Sequence, residues 1–134
     1  MENITSVQNE RVKRIVKLQR KASARRAEGL TVIEGAREVQ RAIENGWQPS
    51  ELWLFPMFGK TETEFFQTLE EKTACRPSRF QTSETVFQKI TYRENPDGVL
   101  AVGPLIGRKL SELSLPDNPL VLVAEGVEKP GNLG

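Results

Sequence analysis

The sequence contains no histidine and only one cysteine, Cys75. Without an imidazole to move protons, Ser-His-Asp triads and Cys-His pairs are excluded. A zinc site built from the protein's own side chains is disfavoured for the same reason, since such sites draw mainly on histidine and cysteine ligands. A lone cysteine cannot close an internal disulfide, which fits a reducing cytoplasm. There is no apolar run of roughly 18 residues, the minimum for a membrane-spanning helix. The N-terminal stretch MENITSVQNERVKR has no apolar centre of the kind a secretory signal carries. Neither the Walker A nor the Rossmann glycine spacing occurs. What is present is the composition of a folded domain: 134 residues, 37% hydrophobic and 28% charged, enough to bury a core.

The formal net charge of +1 hides an asymmetry. Residues 1–50 carry 10 Lys/Arg against 6 Glu, and residues 51–134 carry 9 against 12 acidic residues. Between Arg11 and Ala27 stand Arg11, Lys13, Arg14, Lys17, Arg20, Lys21, Arg25 and Arg26, with no acidic residue among them. Cations packed this closely repel one another unless a polyanion screens them.

Hydrophobic spacing supplies the element order. Asn9 is a good N-cap, Glu10 suits a first helical turn, and Val12, Ile15, Val16 and Gln19 repeat at helical intervals. Ser23 and Gly29 bracket a stretch where that helix is expected to fray or turn. Leu30–Ile33 reads as a strand, and Ala36–Asn45 as a helix ended by Gly46. Glu51–Phe55 reads as a strand and Thr63–Lys72 as a helix with Phe66 and Leu69 inward. A short strand over Arg79–Thr82 and a Ser83-capped helix through Ile90 follow. Asn95-Pro96-Asp97-Gly98 is a turn before the strand Val99–Val102. Strands alternating with helices predict an α/β domain. From Gly103 to Asn118 the chain reads as a linker with one weak helical turn at Leu110–Leu113, and Leu120–Ala124 (LVLVA) reads as a fresh strand.

Three stretches carry candidate chemistry. The basic segment suits contacts to RNA phosphates, with Asn9, Arg11, Lys13, Lys17, Lys21, Arg25 and Arg26 as the candidate residues. A solvated helix face is the competing reading. No aromatic residues interleave with the cations, so a base-stacking platform is not expected there. Glu34 and Gly35 end a strand and open a helix, placing a carboxylate and a bare backbone where α/β sheets often meet ligands. Glu34 and Arg37 are therefore candidate positioners, although Glu34 as a helix cap explains the pattern equally well. Last, Glu128-Lys129-Pro130-Gly131-Asn132-Leu133-Gly134 allows close backbone approach to a ligand, or is an ordinary turn.

Five strings in order tie these pieces together. They are Ser6-Val7-Gln8-Asn9-x-x-Val12-Lys13, the Lys21–Arg26 run, Val32-Ile33-Glu34-Gly35, Pro96-x-Gly98-Val99-Leu100-Ala101-Val102 and the Glu128–Gly134 segment. Together they resemble the SpoU/TrmH family of RNA 2′-O-ribose methyltransferases, of the SPOUT class. The resemblance implies a basic helical segment over 1–28, then an L30e-like three-layer α/β/α domain with a mixed sheet over 29–103, which binds substrate RNA. It implies a linker over 104–119, with 120–134 as the start of a truncated, knotted α/β methyltransferase domain. Asn132 and Gly134 would mark a partial catalytic motif, leading in the family into a helix with a catalytic arginine. The implied cofactor of the full-length enzyme is S-adenosylmethionine, the substrate is structured ribosomal or transfer RNA, and the full-length protein is a homodimer. On this reading the 134 residues are catalytically incomplete by themselves, with no catalytic residue and no metal. A stand-alone L30e-like RNA-binding module is the competing function. A small-molecule enzyme complete within these residues is disfavoured by the missing histidine, metal cluster and phosphate loop.

Overall fold

A computed structural model describes residues 2–56, 60–74, 76–107 and 110–125, with the side chains of 60–64 excepted. Strand β1 (Glu2–Ile4) leads into helix α1 (Glu10–Arg20). Asn9 starts that helix by accepting the Arg11 backbone N–H at 2.9 Å. Val12, Ile15 and Leu18 are fully buried, so the apolar stripe is completed by Leu18. Val16 is only partly buried, and Gln19 instead donates its amide to the Ile90 carbonyl at 3.1 Å. After α1 the chain turns rather than frays. Lys21 adopts an extended conformation that breaks the helix, and a second helix, α2 (Ala22–Glu28), follows at once. Gly29 ends α2 in the left-handed region at φ 64°, which a residue with a side chain adopts only at a cost.

The remaining elements are β2 (Leu30–Glu34), α3 (Ala36–Glu44), β3 (Glu51–Leu54), α4 (Lys60–Lys72), β4 (Ser78–Thr82), α5 (Glu84–Ile90) and β5 (Val99–Pro104). The five strands form one sheet in the order β1-β4-β3-β5-β2. β1, β4 and β3 run parallel to one another, while β5 is antiparallel to both β3 and β2. This is the α/β architecture with a mixed sheet that the sequence predicts.

Alternation along β5 sorts the core into two layers, because successive strand side chains point to opposite faces. Leu100 and Val102 join Trp53, Ile15, Leu18 and Phe87 beneath α1, α2 and α5. Val99 and Ala101 join Leu52, Val39, Ile43 and Leu69 beneath α3 and α4. Each fully buried aliphatic or aromatic side chain contributes roughly 1.5–3 kcal/mol. In α4 Phe65 and Leu69 enter the core, Leu69 as expected; Phe66, expected to point inward, is only partly buried and carries Arg79 over its ring at 5.2 Å.

Two consequences concern the domain layout. The first 28 residues supply β1 and the buried stripe of α1, so they are built into the same layered unit as the rest of the sheet. Leu120–Ala124, expected as a strand, is not one: it is exposed throughout, with Leu120 at 101% and Leu122 at 83% exposure. A strand needs a hydrogen-bonding neighbour, and none of the five strands takes this segment as one. Between them, Leu110–Glu112 forms a single 3-10 turn, as its weak helical pattern suggests.

Candidate nucleic-acid interface

The fold divides the eight cations of the first two helices into two groups. One group has partners within the chain. Arg14 bonds Glu28 at 2.7 Å and Glu51 at 2.8 Å, so acidic residues far away in sequence reach a segment that has none. Both hydrogen bonds and both charges hold the guanidinium in its protonated form more firmly than usual, against the opposing effect of burial. Arg11 lies over the Phe80 ring at 5.0 Å, and Lys13 pairs with Glu10 at 2.7 Å. Arg25 donates to the carbonyls of Leu18 and Gln19 at 2.7 and 3.1 Å, covering groups that the end of α1 leaves without a helical partner. Asn9 is the N-cap described above.

The second group is Lys17, Arg20, Lys21 and Arg26. All four are exposed, and their side chains make no hydrogen bond or ion pair among the described residues. Lys17, Arg20 and Lys21 cluster at the C-terminal end of α1. The negative pole of a helix is equivalent to roughly half a charge, so it neutralises only a fraction of three cations. The excess is a positive surface available to an anionic partner. Arg20 was not among the residues singled out from the sequence as RNA contacts; its position next to Gln19 in a buried-stripe helix is the signal that groups it with Lys17 and Lys21.

A second constellation forms where β2 meets α3. Glu34 does not cap α3. Its carboxylate accepts the backbone N–H groups of Tyr92 at 2.8 Å and Arg93 at 3.3 Å. The α3 N-terminus is capped by Asp97, which accepts the Ala36 N–H at 2.8 Å. Gly35 stands at φ 107°, and a Cβ there would run into the Glu38 carboxylate and come within 2.9 Å of the Arg93 guanidinium. Arg93 pairs with Glu38 at 2.7 Å. Burial pushes the Glu38 carboxyl up, but the Arg93 hydrogen bond, a backbone hydrogen bond and the charges of Arg93 and Arg37 outweigh it and hold it below its ordinary 4.5. Arg37 is exposed beside this network. Thus Glu34 and Arg37 come to the same corner, and Glu34 acts there through the 92–98 loop.

The two constellations meet at one end of the molecule. Gln19, between Arg20 and Leu18, bonds the Ile90 carbonyl, two residues before Tyr92. The 92–98 loop also borders an open cleft of about 240 Å³, lined by Phe55, Phe87, Gln88, Asn95 and Pro96 with Glu84 and Glu94. Its charged residues are acidic, which disfavours an anionic ligand. Asn132 and Gly134 lie outside the described residues.

Residues 9–101 match the family model described as the MRM3-like substrate binding domain. Among solved structures, an RNA 2′-O ribose methyltransferase is similar with a TM-score of 0.74 and 32% identity, covering 98% of this chain and 48% of that one. An rRNA methyltransferase from Sinorhizobium meliloti is similar at 0.66 and 21% identity, covering 84% and 40% of the two chains. The SpoU methyltransferase AviRb from Streptomyces viridochromogenes, in complex with AdoMet, is similar at 0.60 and 19% identity, covering 77% and 36%. At these last two identities the likeness is one of fold. The chain spans about half the length, or less, of the solved proteins it matches. No curated protein matches it.

Proposed function

Since the chain belongs to the MRM3-like substrate-binding domain family, and with it to the SpoU/TrmH RNA methyltransferases, we propose that it holds structured RNA for 2′-O-ribose methylation. The observation that carries this reading is the set of four cations along α1 and α2, Lys17, Arg20, Lys21 and Arg26, whose side chains have no partner among the described residues. They face phosphates, releasing condensed counterions, while the rigid core beneath α1 fixes their position. Arg11, Lys13, Arg25 and Asn9 shape that surface from within their internal bonds. Glu34 and Arg37 order the neighbouring corner.

The RNA is ribosomal or transfer RNA. The methyl donor of the parent enzyme is S-adenosylmethionine, a reading supported by the AdoMet-bound structures of similar fold. That donor supplies an electrophilic methyl group. The cleft by the 92–98 loop, about 240 Å³, falls short of the roughly 300–1,000 Å³ of pockets that enclose ligands of this size. On this reading methyl transfer falls to residues of the parent enzyme other than those described. The parent protein acts as a cytoplasmic homodimer, with the α/β unit following the L30e-like arrangement.

Titrating a structured ribosomal RNA fragment into the isotopically labelled chain tests this reading. Amide signals of α1, α2 and the Glu34–Arg37 corner should move, and those of α4 should stay. Shifts confined to α4 would contradict it.

A further inference from the structure

Tyr92 is 85% exposed, yet the backbone that carries it is fixed from both sides. Its own N–H is held by Glu34, and the next N–H by the same carboxylate. The Arg93 side chain is tied to Glu38, and the Thr91 N–H and hydroxyl bond the Phe87 and Gln88 carbonyls at the end of α5. An exposed aromatic on a loop normally gains by folding back onto apolar surface. Here the hydrogen bonds on either side hold the ring out in water.

Its place relative to the cations gives the ring a use. Gln19 bonds the Ile90 carbonyl, and Ile90 is two residues from Tyr92, at most about 7 Å of chain. Arg20 and Lys21, the free cations at the end of α1, follow Gln19 directly. Arg37 is exposed at the start of α3 near the Arg93–Glu38 pair; Glu34 is occupied by backbone N–H groups and Glu38 by Arg93, while Glu94, two residues from Tyr92, is exposed. A flat aromatic face therefore stands close to the cations at the end of α1, the arrangement that holds an unstacked base while its phosphates are neutralised.

We propose that Tyr92 is a stacking platform for one unpaired base of the bound RNA, held in place by the Glu34 carboxylate. The inference rests on the RNA-binding reading above and adds the kind of RNA: a bulge or loop rather than an uninterrupted duplex. Stacking on an aromatic ring contributes about 1–3 kcal/mol per base, which is about a 5- to 150-fold change in affinity.

The test compares the full chain and its Tyr92→Ala, Tyr92→Phe and Tyr92→Trp variants. The probes are an RNA hairpin with 2-aminopurine at an unpaired position and a blunt duplex of the same stem. Wild type, Tyr92→Phe and Tyr92→Trp should quench the 2-aminopurine and bind the hairpin more tightly than the duplex. Tyr92→Ala should lose the quenching and that preference, with duplex affinity unchanged. Wild-type quenching that persists in Tyr92→Ala, or a duplex bound as tightly as the hairpin, overturns the stacking role. Loss in Tyr92→Phe equal to that in Tyr92→Ala overturns it too, because the hydroxyl and not the ring would then be responsible. A wild type that binds neither RNA in dilute salt overturns the RNA reading itself, and this inference with it.

Discussion

The Arg14 guanidinium bonds the Glu51 carboxylate at 2.8 Å, fastening α1 to β3 across the sheet. The other oxygen of Glu51 accepts the indole N–H of Trp53 at 3.0 Å, and Trp53 is fully buried. Glu51→Ala would strand that N–H and cost about 1–3 kcal/mol. Arg14→Ala removes two ion pairs that solvent partly screens, to Glu28 and Glu51, at about 0.5 kcal/mol each. At roughly 4–8 °C per kcal/mol for a domain of this size, thermal unfolding resolves the two. The account expects Glu51→Ala to melt lower; the reverse order would show that Trp53 does not depend on Glu51.

Leu18 and Lys17 are neighbours with opposite duties. Leu18 is fully buried and Lys17 is exposed without a partner. Leu18→Ala should cost about 2–5 kcal/mol, and Lys17→Ala within about 0.5 kcal/mol. Denaturant midpoints check this. A neutral Leu18→Ala would mean that the basic helix is an appendage and not a wall of the core.

Gly35 occupies a backbone conformation that L side chains rarely adopt, with two charged groups where a Cβ would go. Gly35→Ala should destabilise the fold by more than about 1 kcal/mol and break the Arg93–Glu38 pair. A variant as stable as wild type, with the Arg93 side-chain signals unmoved, contradicts the close approach.

That pair also sets a pH dependence. The Glu38 carboxyl is held below its ordinary 4.5, so it takes up its proton more readily in the unfolded chain. Its stabilisation is present above pH 4.5 and is lost as pH falls through the depressed folded value. Glu38→Gln should be less stable than wild type at neutral pH, and the gap should close as the pH drops below 4.5. A gap that widens on acidification would reverse the sign of the coupling.

Much of this architecture could be read in the residues because the relevant physics is local. Asn9 and Ser83 cap helices where their side-chain oxygens meet backbone N–H groups two and three residues on. Gly46 takes a positive φ at the end of α3 as its position suggests. Leu30 to Glu34 and Val99 to Val102 pair as strands in register. What could not be read is non-local. β1 is three residues with one buried side chain, and only its pairing with β4 makes it a strand. The pattern LVLVA satisfies every local rule for a strand but has no neighbour in the sheet. Within the candidate interface, the cation run was visible, but its division into bonded and free members depends on Glu28, Glu51 and Phe80. The link from Glu34 to Tyr92 spans 58 residues, which no spacing rule reaches.

The account stands on the four free cations, and salt dependence measures them directly. The affinity of the chain for a structured RNA should be followed from low to moderate salt, alongside a variant with Lys17, Arg20, Lys21 and Arg26 all changed to Ala. Wild-type affinity should fall linearly on a log–log plot, with a slope of about −0.7 to −0.9 per phosphate neutralised. Each cation removed should flatten that slope by roughly one unit while the melting curve stays in place. An affinity indifferent to salt, or a variant whose slope matches wild type, would contradict the claim that these side chains grip RNA.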